Sequence, residues 1–268
     1  MKQRLLRFLP RHRHARLIQR LDRIAVRFHE AFENLDYDFH SNGEGRVLAL
    51  LAGRAPRVVL DVGANRGDWS RMAEGLLPQA VIHAFEIVPD TFRTLSQNVA
   101  GKPRIVPHPL GLADTEGDIE VFFAEGRSEI ATCVTGVSES IHGYSPPRVP
   151  ARVTTGDLFC EREGIERIDF LKLDVEGFEP NVLRGFARML QGGHICAMQF
   201  EYGYGNVVSR FLLRDYYELL APLGMRIGKI YPRSVEFRDY DLRREDFLGP
   251  NFLAVHASQD ELIRALAG

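Results

Sequence analysis

An α/β fold, with a mostly parallel sheet and helices on both of its faces, is the fold class this sequence predicts, and three observations predict it. Apolar, β-branched runs recur at 57–62, 80–86, 104–108, 168–173 and 195–200. Segments of helical character separate them, as crossover helices do when they return the chain to the next parallel strand. The runs are apolar throughout rather than alternating, the pattern of strands covered on both sides. The 268 residues suffice for one large domain of this kind with added helix, or at most two small ones.

Composition narrows the class further. Hydrophobic residues make up 45% and charged residues 26%, the balance of a soluble globular protein. A core of this size needs no disulfide staples. The three cysteines, Cys133, Cys160 and Cys196, show no metal-ligand spacing, and so sparse a set predicts a reduced, cytoplasmic setting. No apolar run approaches the roughly 20 residues of a membrane helix, and no signal peptide is visible at the start.

The elements follow in order. Residues 1–54 read as an N-terminal basic helical extension and 55–268 as the α/β domain. The extension carries Lys2, Arg4, Arg7, Arg11, Arg13, Arg16, Arg20, Arg23 and Arg27 against only Asp22 and Glu30 in the first thirty residues. Such an arm suits nucleic acid, a membrane surface or another anionic polymer. Leu17, Leu21, Ile24 and Phe28 also share one helical stripe, which would pack on the domain or on a second subunit of a homodimer. The lack of interleaved aromatic residues favours packing over nucleic acid. Ser41–Glu44 resembles a capping box opening a helix to about Leu51. Helices are expected from Asp68 to Leu77, from Pro89 to about Val99, from Glu179 to Leu190 and near 207–221. An extra strand is expected at 119–124, a long loop at 125–150, and closing strands near 225–231 and 251–256. Loops of that length in compact domains are often lids or binding segments.

Ligands of such sheets bind beyond the carboxyl ends of the strands. The first strand ends in Asp61, Gly63, Asn65 and Gly67. This G-x-x-x-G turn lacks the middle glycine of the dinucleotide fingerprint and the G-K-[ST] of a phosphate loop, so it suits a small charged tail rather than a pyrophosphate. The second ends in Glu86, placed to hold both hydroxyls of a ribose. A nucleoside without phosphates is thereby expected, and S-adenosylmethionine meets that description. Leu112, after the third strand, is placed to pack on an adenine. The fourth and fifth strands end in Asp174 and Glu201, with Glu176 and Glu179 where the next helix begins. Two carboxylates at one crevice imply a proton, a cation or a basic partner. His142, in the long loop, is a rival base, whereas His83 and His194 read as structural. Tyr202 and Tyr204 either line a ring-binding site or pack in the core; Trp69 reads as packing.

The segments D-V-G-A-N-R-G, F-E at 85–86, I-D-F-L-K-L-D-V-E-G-F-E-P-N-V-L-R-G at 168–185, and F-E-Y-G together resemble the FkbM-type methyltransferases over about residues 55–256. The resemblance implies a Rossmann-like class I methyltransferase with a seven-stranded sheet, acting as an S-adenosylmethionine-dependent O-methyltransferase on sugars or natural products. It matches Asp61, Gly63, Asn65 and Gly67 to the cofactor turn, Glu86 to the ribose acid, and Asp174 and Glu201 to the acids flanking the acceptor. Asp174 would take the acceptor's proton, or Asp174 and Glu201 would hold Mg²⁺ or Ca²⁺. Three other functions compete. A nicotinamide-dependent oxidoreductase is opposed by the missing glycine. A nucleic-acid methyltransferase using the arginine arm lacks an N/D-P-P-Y/F motif. The last is a non-catalytic binding module.

Overall fold

The computed structural model describes residues 2–124, 126, 128 and 131–268, the side chain of His142 excepted. Helices α1 (Lys2–Phe8) and α2 (Arg16–Phe32) precede α3 (Glu44–Ala52). The strand-helix alternation then runs β1 (Val58–Val62), α4 (Asp68–Leu76), β2 (Val81–Phe85), α5 (Pro89–Asn98) and β3 (Ile105–His108). Three strands follow, β4 (Gly111–Ala113), β5 (Gly117–Phe122) and β6 (Arg148–Thr155), then α6 (Gly156–Glu163). The alternation resumes with β7 (Phe170–Leu173), α7 (Glu179–Gly185), α8 (Ala187–Gln191), β8 (Ala197–Glu201), α9 (Tyr204–Ser209) and α10 (Leu213–Leu220). The chain closes with β9 (Met225–Ile230), β10 (Val235–Phe237), β11 (Asn251–His256) and α11 (Asp260–Ala267).

One sheet has eight strands in the order β10-β9-β11-β8-β7-β1-β2-β3. From β8 to β3 every pairing is parallel; β11 runs antiparallel to both β8 and β9. The seven expected strands are joined by an eighth, β10, which folds back on β9 as a short hairpin. Helices cover both faces. Val59, Ile82, Phe170, Ala197 and Leu253 pack with Leu48, Trp69, Leu95 and Leu262 on one side. Val62, Phe85, Leu173 and Phe200 pack with Phe159, Val182, Met189 and Tyr216 on the other. This is the mostly parallel, Rossmann-like α/β architecture.

The expected extra strand, β5, does not extend this sheet. It belongs to a three-stranded sheet, β4-β6-β5, of which β4, β6 and the helix α6 after it fall outside the expected elements. Pro150 obscured β6. It pairs with Glu120 of β5, but β4 begins only opposite Val153, so the missing N–H interrupts no ladder on that side. The expected helix 179–190 is broken at Phe186, where a Cβ on Gly185 would lie 2.0 Å from the Ala113 carbonyl oxygen. The helix expected near 207–221 is likewise two helices, separated by Arg210 at φ 58°. The expected Ser41 cap is also corrected. The Ser41 hydroxyl donates to Asp36, α3 is entered through Gly43 at φ 109°, and the Asn42 side chain accepts from the Glu44 N–H. Glu44 is thus freed to face the interior.

The arm is rooted at its C-terminal end. Glu33, just after α2, is buried and accepts from Lys229 Nζ at 3.0 Å and Tyr231 Oη at 3.1 Å, with Arg244 at 3.6 Å. Asn34 donates to the carbonyls of Asn42 and Ile230. Beyond this root, α1 and α2 bury no residue, so the apolar stripe does not pack on the domain. Among the described residues, no helix is long and apolar enough to cross a membrane.

Glu33→Ala leaves the Lys229 ammonium buried without its carboxylate, and a loss of about 3–5 kcal/mol in denaturant unfolding is expected. Adding Lys229→Met is expected to recover part of that loss. Equal and additive losses from the two single changes would show that the pair is not coupled.

Candidate active site

The period of a strand builds the site. Side chains two apart share a face, and four neighbouring strands end in the same pattern: Ala84-Phe85-Glu86, Asp61-Val62-Gly63, Lys172-Leu173-Asp174 and Gln199-Phe200-Glu201. The middle residues, Phe85, Val62, Leu173 and Phe200, turn to the α6–α10 side and are buried there. The residues before them form a row across the other face, since Asp61 pairs in register with Ala84 and Lys172, and Lys172 with Gln199. The residues after them, Glu86, Gly63, Asp174 and Glu201, form the next row, which opens on a cavity of about 640 Å³.

The inner row is a polar floor closed from above by α3 and α4. Lys172 lies between Asp174 Oδ2 at 2.8 Å and Asp61 Oδ1 at 3.5 Å, with its Nζ 5.6 Å from the Trp69 ring centroid. Asp61 is fully buried and accepts from Ser70 Oγ at 2.6 Å. Glu44 accepts from Trp69 Nε1, Gln199 Nε2, Asn42 and Asn251 at 2.7–2.9 Å, so one carboxylate ties α3 and α4 to the ends of β8 and β11. Burial opposes the charge on Lys172, but Asp174, Asp61 and Glu44 outweigh it and hold its pKa above the ordinary lysine value.

The outer row is acidic. Oxygens of Asp174, Glu176 and Glu201 lie within 4.8 Å of one another. Burial, and then the neighbouring carboxylates, push Glu176 and Glu201 well above the usual carboxylate range. Glu179 accepts from the Val175 and Gly177 N–H groups, and burial still raises it to about 7. Glu86 is buried at the far side of the cavity. Desolvation pushes its carboxyl up to about 7, although the N–H groups of Val88, Asn65 and Ile87 point at it.

Of the residues expected at the site, Gly63, Asn65, Glu86, Leu112, Asp174 and Glu201 line the cavity. Asp61 and Gly67 stand behind that wall, outside the lining. The glycines also serve a purpose other than the expected opening for a ligand. A Cβ on Gly63 would lie 1.8 Å from the Asp174 carbonyl oxygen, and one on Gly67 would lie 2.6 Å from Leu95 Cδ1. Both positions have positive φ, at 86° and 81°. His142 ends a short helical turn, and its side chain lies outside the described residues. Tyr204 is exposed on the cavity wall, whereas Tyr202 is buried and donates to Glu245. Trp69, expected to pack, stacks on Phe170 and also lies on the cavity lining.

Sequence reasoning passed over Lys172, Glu44 and Tyr37. Lys172 carried a readable signal, a lysine inside an otherwise apolar strand two positions before an acid. Glu44 and Tyr37 carried none, because they reach the site from a segment outside the strand-helix alternation. Tyr37 lines the cavity although it is largely exposed.

Residues 61–213 match the family described as the methyltransferase FkbM domain. Two curated relatives are a hexuronic acid methyltransferase, AglP, of Haloferax volcanii, and a 2-O-methyltransferase, NoeI, of Sinorhizobium fredii. The first is 28% identical over 168 residues, covering 60% of this chain and 64% of that protein. The second is 26% identical over 149 residues, covering 52% and 61%. The chain thus spans less than two thirds of the length of either relative. An O-methyltransferase from Bacillus cereus, solved in complex with SAH, aligns over 87% of this chain and 89% of its own at 13% identity and a TM-score of 0.45. The family match takes in more than half of the 268 residues, including Gly63, Glu86, Asp174 and Glu201 at the strand ends and Leu112 within β4, and the chain belongs to the FkbM methyltransferase family.

Proposed function

We propose that this chain transfers the methyl group of S-adenosylmethionine to a hydroxyl oxygen of a saccharide or natural-product acceptor. The cavity has two acidic poles, and they carry the proposal. Glu86 ends β2, while Asp174 and Glu201 end β7 and β8, two and three strands away in the sheet order. At the usual strand spacing these poles stand roughly 10–14 Å apart, a span that suits an adenosine at one end and a reacting methyl at the other. The wall between them fits the cofactor. Asn65 Oδ1 is a buried acceptor with no partner, facing a ligand that brings an ammonium and hydroxyl donors. Among the described residues, Lys172 and Arg66 are the basic side chains on the cavity lining against seven acids, so a cationic ligand is favoured there and a pyrophosphate disfavoured. This electrostatic balance, with Asn65 where the dinucleotide fingerprint has its second glycine, disfavours the nicotinamide alternative.

The cofactor, when bound, supplies an electrophilic methyl for in-line displacement. The chain's own residues align the acceptor and handle its proton. In this proposal Lys172 fixes Asp174 by one oxygen and leaves the other to accept the proton of the acceptor hydroxyl. Glu201 and Glu176, held above the ordinary carboxylate range, take that proton onward. Asp61 positions Lys172 from behind. Leu112 covers the adenine and Tyr204 the acceptor. The relatives' names, a hexuronic acid methyltransferase and a 2-O-methyltransferase, support a sugar-like hydroxyl acceptor. The acidic pole favours an acceptor that is itself uncharged near the reacting oxygen.

A second occupant of the acidic pole is a divalent cation, and the close approach of Asp174, Glu176 and Glu201 favours considering it. Prolonged chelator dialysis is expected to leave turnover unchanged. Loss of turnover, with recovery on adding Mg²⁺ or Ca²⁺, would assign the three carboxylates to metal.

Asp174→Asn is expected to lower kcat by about 10²–10⁴-fold while S-adenosylhomocysteine affinity, by calorimetry, stays within a few-fold. Retained turnover would remove Asp174 from the reaction. For Glu86, hydroxyl donors bind the ionised carboxylate, whose pKa in the free protein is raised to about 7. Affinity for S-adenosylhomocysteine is therefore expected to rise as pH increases through 7 and to fall below it. Glu86→Gln should bind about 10-fold more weakly at pH 8 and show a flatter profile. An unchanged profile would show that Glu86 does not grip the ligand.

A further inference from the structure

The arm presents two parallel rows along α2. Leu17, Leu21, Ile24 and Phe28 form one; all four are exposed, Phe28 by 73%. Arg16, Arg20, Arg23 and Arg27 each precede one of these residues, so they form a second row roughly 100° round the helix. Phe32 extends the apolar row and stacks on Phe28. In α1 the pattern repeats in short form, with Arg4 before Leu5 and Arg7 before Phe8, all exposed. The two acids of α2, Asp22 and Glu30, lie outside both rows.

Each candidate partner must satisfy both rows. The domain itself covers neither. A second copy would cover the apolar row, but an antiparallel pair would set arginine row against arginine row. A parallel pair would set the arginines against an edge with Asp22 as its one acid. A nucleic-acid duplex would neutralise the arginines and leave four large apolar side chains in water. An anionic lipid surface takes both rows, the apolar one at the acyl boundary and the arginines at the phosphates.

We propose that the arm docks the protein on anionic lipid bilayers, with α2 lying in the interface. The Glu33–Lys229 pair transmits this anchorage to the domain. The segment that leads out of the arm contributes Tyr37 and Phe39 to the cavity wall, so the bilayer would lie beside the candidate site.

The test is co-sedimentation of the full chain with phosphatidylcholine vesicles that either contain or lack phosphatidylglycerol. Binding to the anionic vesicles alone is expected. Each basic residue at such a surface contributes about five-fold in partitioning, so replacing Arg16, Arg20, Arg23 and Arg27 with Gln should lower binding roughly 10²–10³-fold. Leu17→Ser, Ile24→Ser and Phe28→Ser together should abolish it. Both variants should keep the wild-type thermal midpoint and methyl transfer to a soluble acceptor, because no replaced side chain is buried. Three results would each overturn the proposal. One is no binding to either vesicle. Another is anionic binding that the serine variant retains. The third is a stable dimer in light scattering that the serine variant converts to monomer.

Discussion

A single buried ammonium, that of Lys172, decides what this sheet can carry at its carboxyl edge. It sits in register beside Asp61 and two residues short of Asp174, in the layer between β7 and α4. Without it, the fully buried Asp61 carboxylate would have no cation beside it. With it, the floor sets one cation against the carboxylates of Asp61 and Glu44, while the strand ends above carry further acids. The outer row keeps a surplus of acid; burial first, and then the neighbouring carboxylates, raise Glu176, Glu179 and Glu201. A site poised in this way gains most from a ligand that brings positive charge, and the sulfonium and ammonium of the proposed cofactor do so. The same surplus makes it a poor cradle for phosphates. The polar floor thus links the packing of the sheet to the choice of ligand.

The floor also explains why the site's parts are held rigidly. Asp61, Lys172 and Gln199 belong to three neighbouring strands, and Glu44, Trp69 and Ser70 reach down to them from two helices. A buried polar network with nearly every member partnered specifies one arrangement of the elements it joins. Asp61 Oδ1, the atom left without a full hydrogen bond, lies 3.5 Å from Lys172 Nζ and is compensated by charge instead. Glu86, Asp174 and Glu201 are therefore carried at strand ends locked in register.

Much of this was legible in the sequence because period-2 placement needs no tertiary information. Once five apolar runs are read as parallel strands, the residue after each is bound to lie at one edge, and Glu86, Asp174 and Glu201 were found in that way. What escaped had tertiary causes. Glu44 reads locally as part of a cap, yet its carboxylate is used by three partners distant from that turn, Trp69, Gln199 and Asn251, besides the neighbouring Asn42. Strand β6 was hidden by Pro150, tolerated only because β4 is too short to reach it. Strand β10 is three residues long and gains its identity from pairing with β9. The arm's stripe was read correctly as a stripe, but amphipathic periodicity says that a face will be covered without saying by what.

The glycine turn has a structural reason that the sequence did not disclose. Gly63 was picked out as space for a ligand. The nearest claim on that space is the Asp174 carbonyl, which a Cβ would meet at 1.8 Å. Asp174 N–H also donates to Val62 O, and the N–H groups of Gly63 and Ala64 both donate to Phe85 O. The turn after β1 is thus drawn in from both sides, against the end of β7 and the end of β2. Glycine at 63 sets the spacing between the two acidic poles. A larger residue there would push β7 away from β1, widening the gap between Asp174 and Glu86 and loosening Lys172 from Asp61. The glycine that opens this turn does its structural work by letting the end of β7 come close to the end of β1.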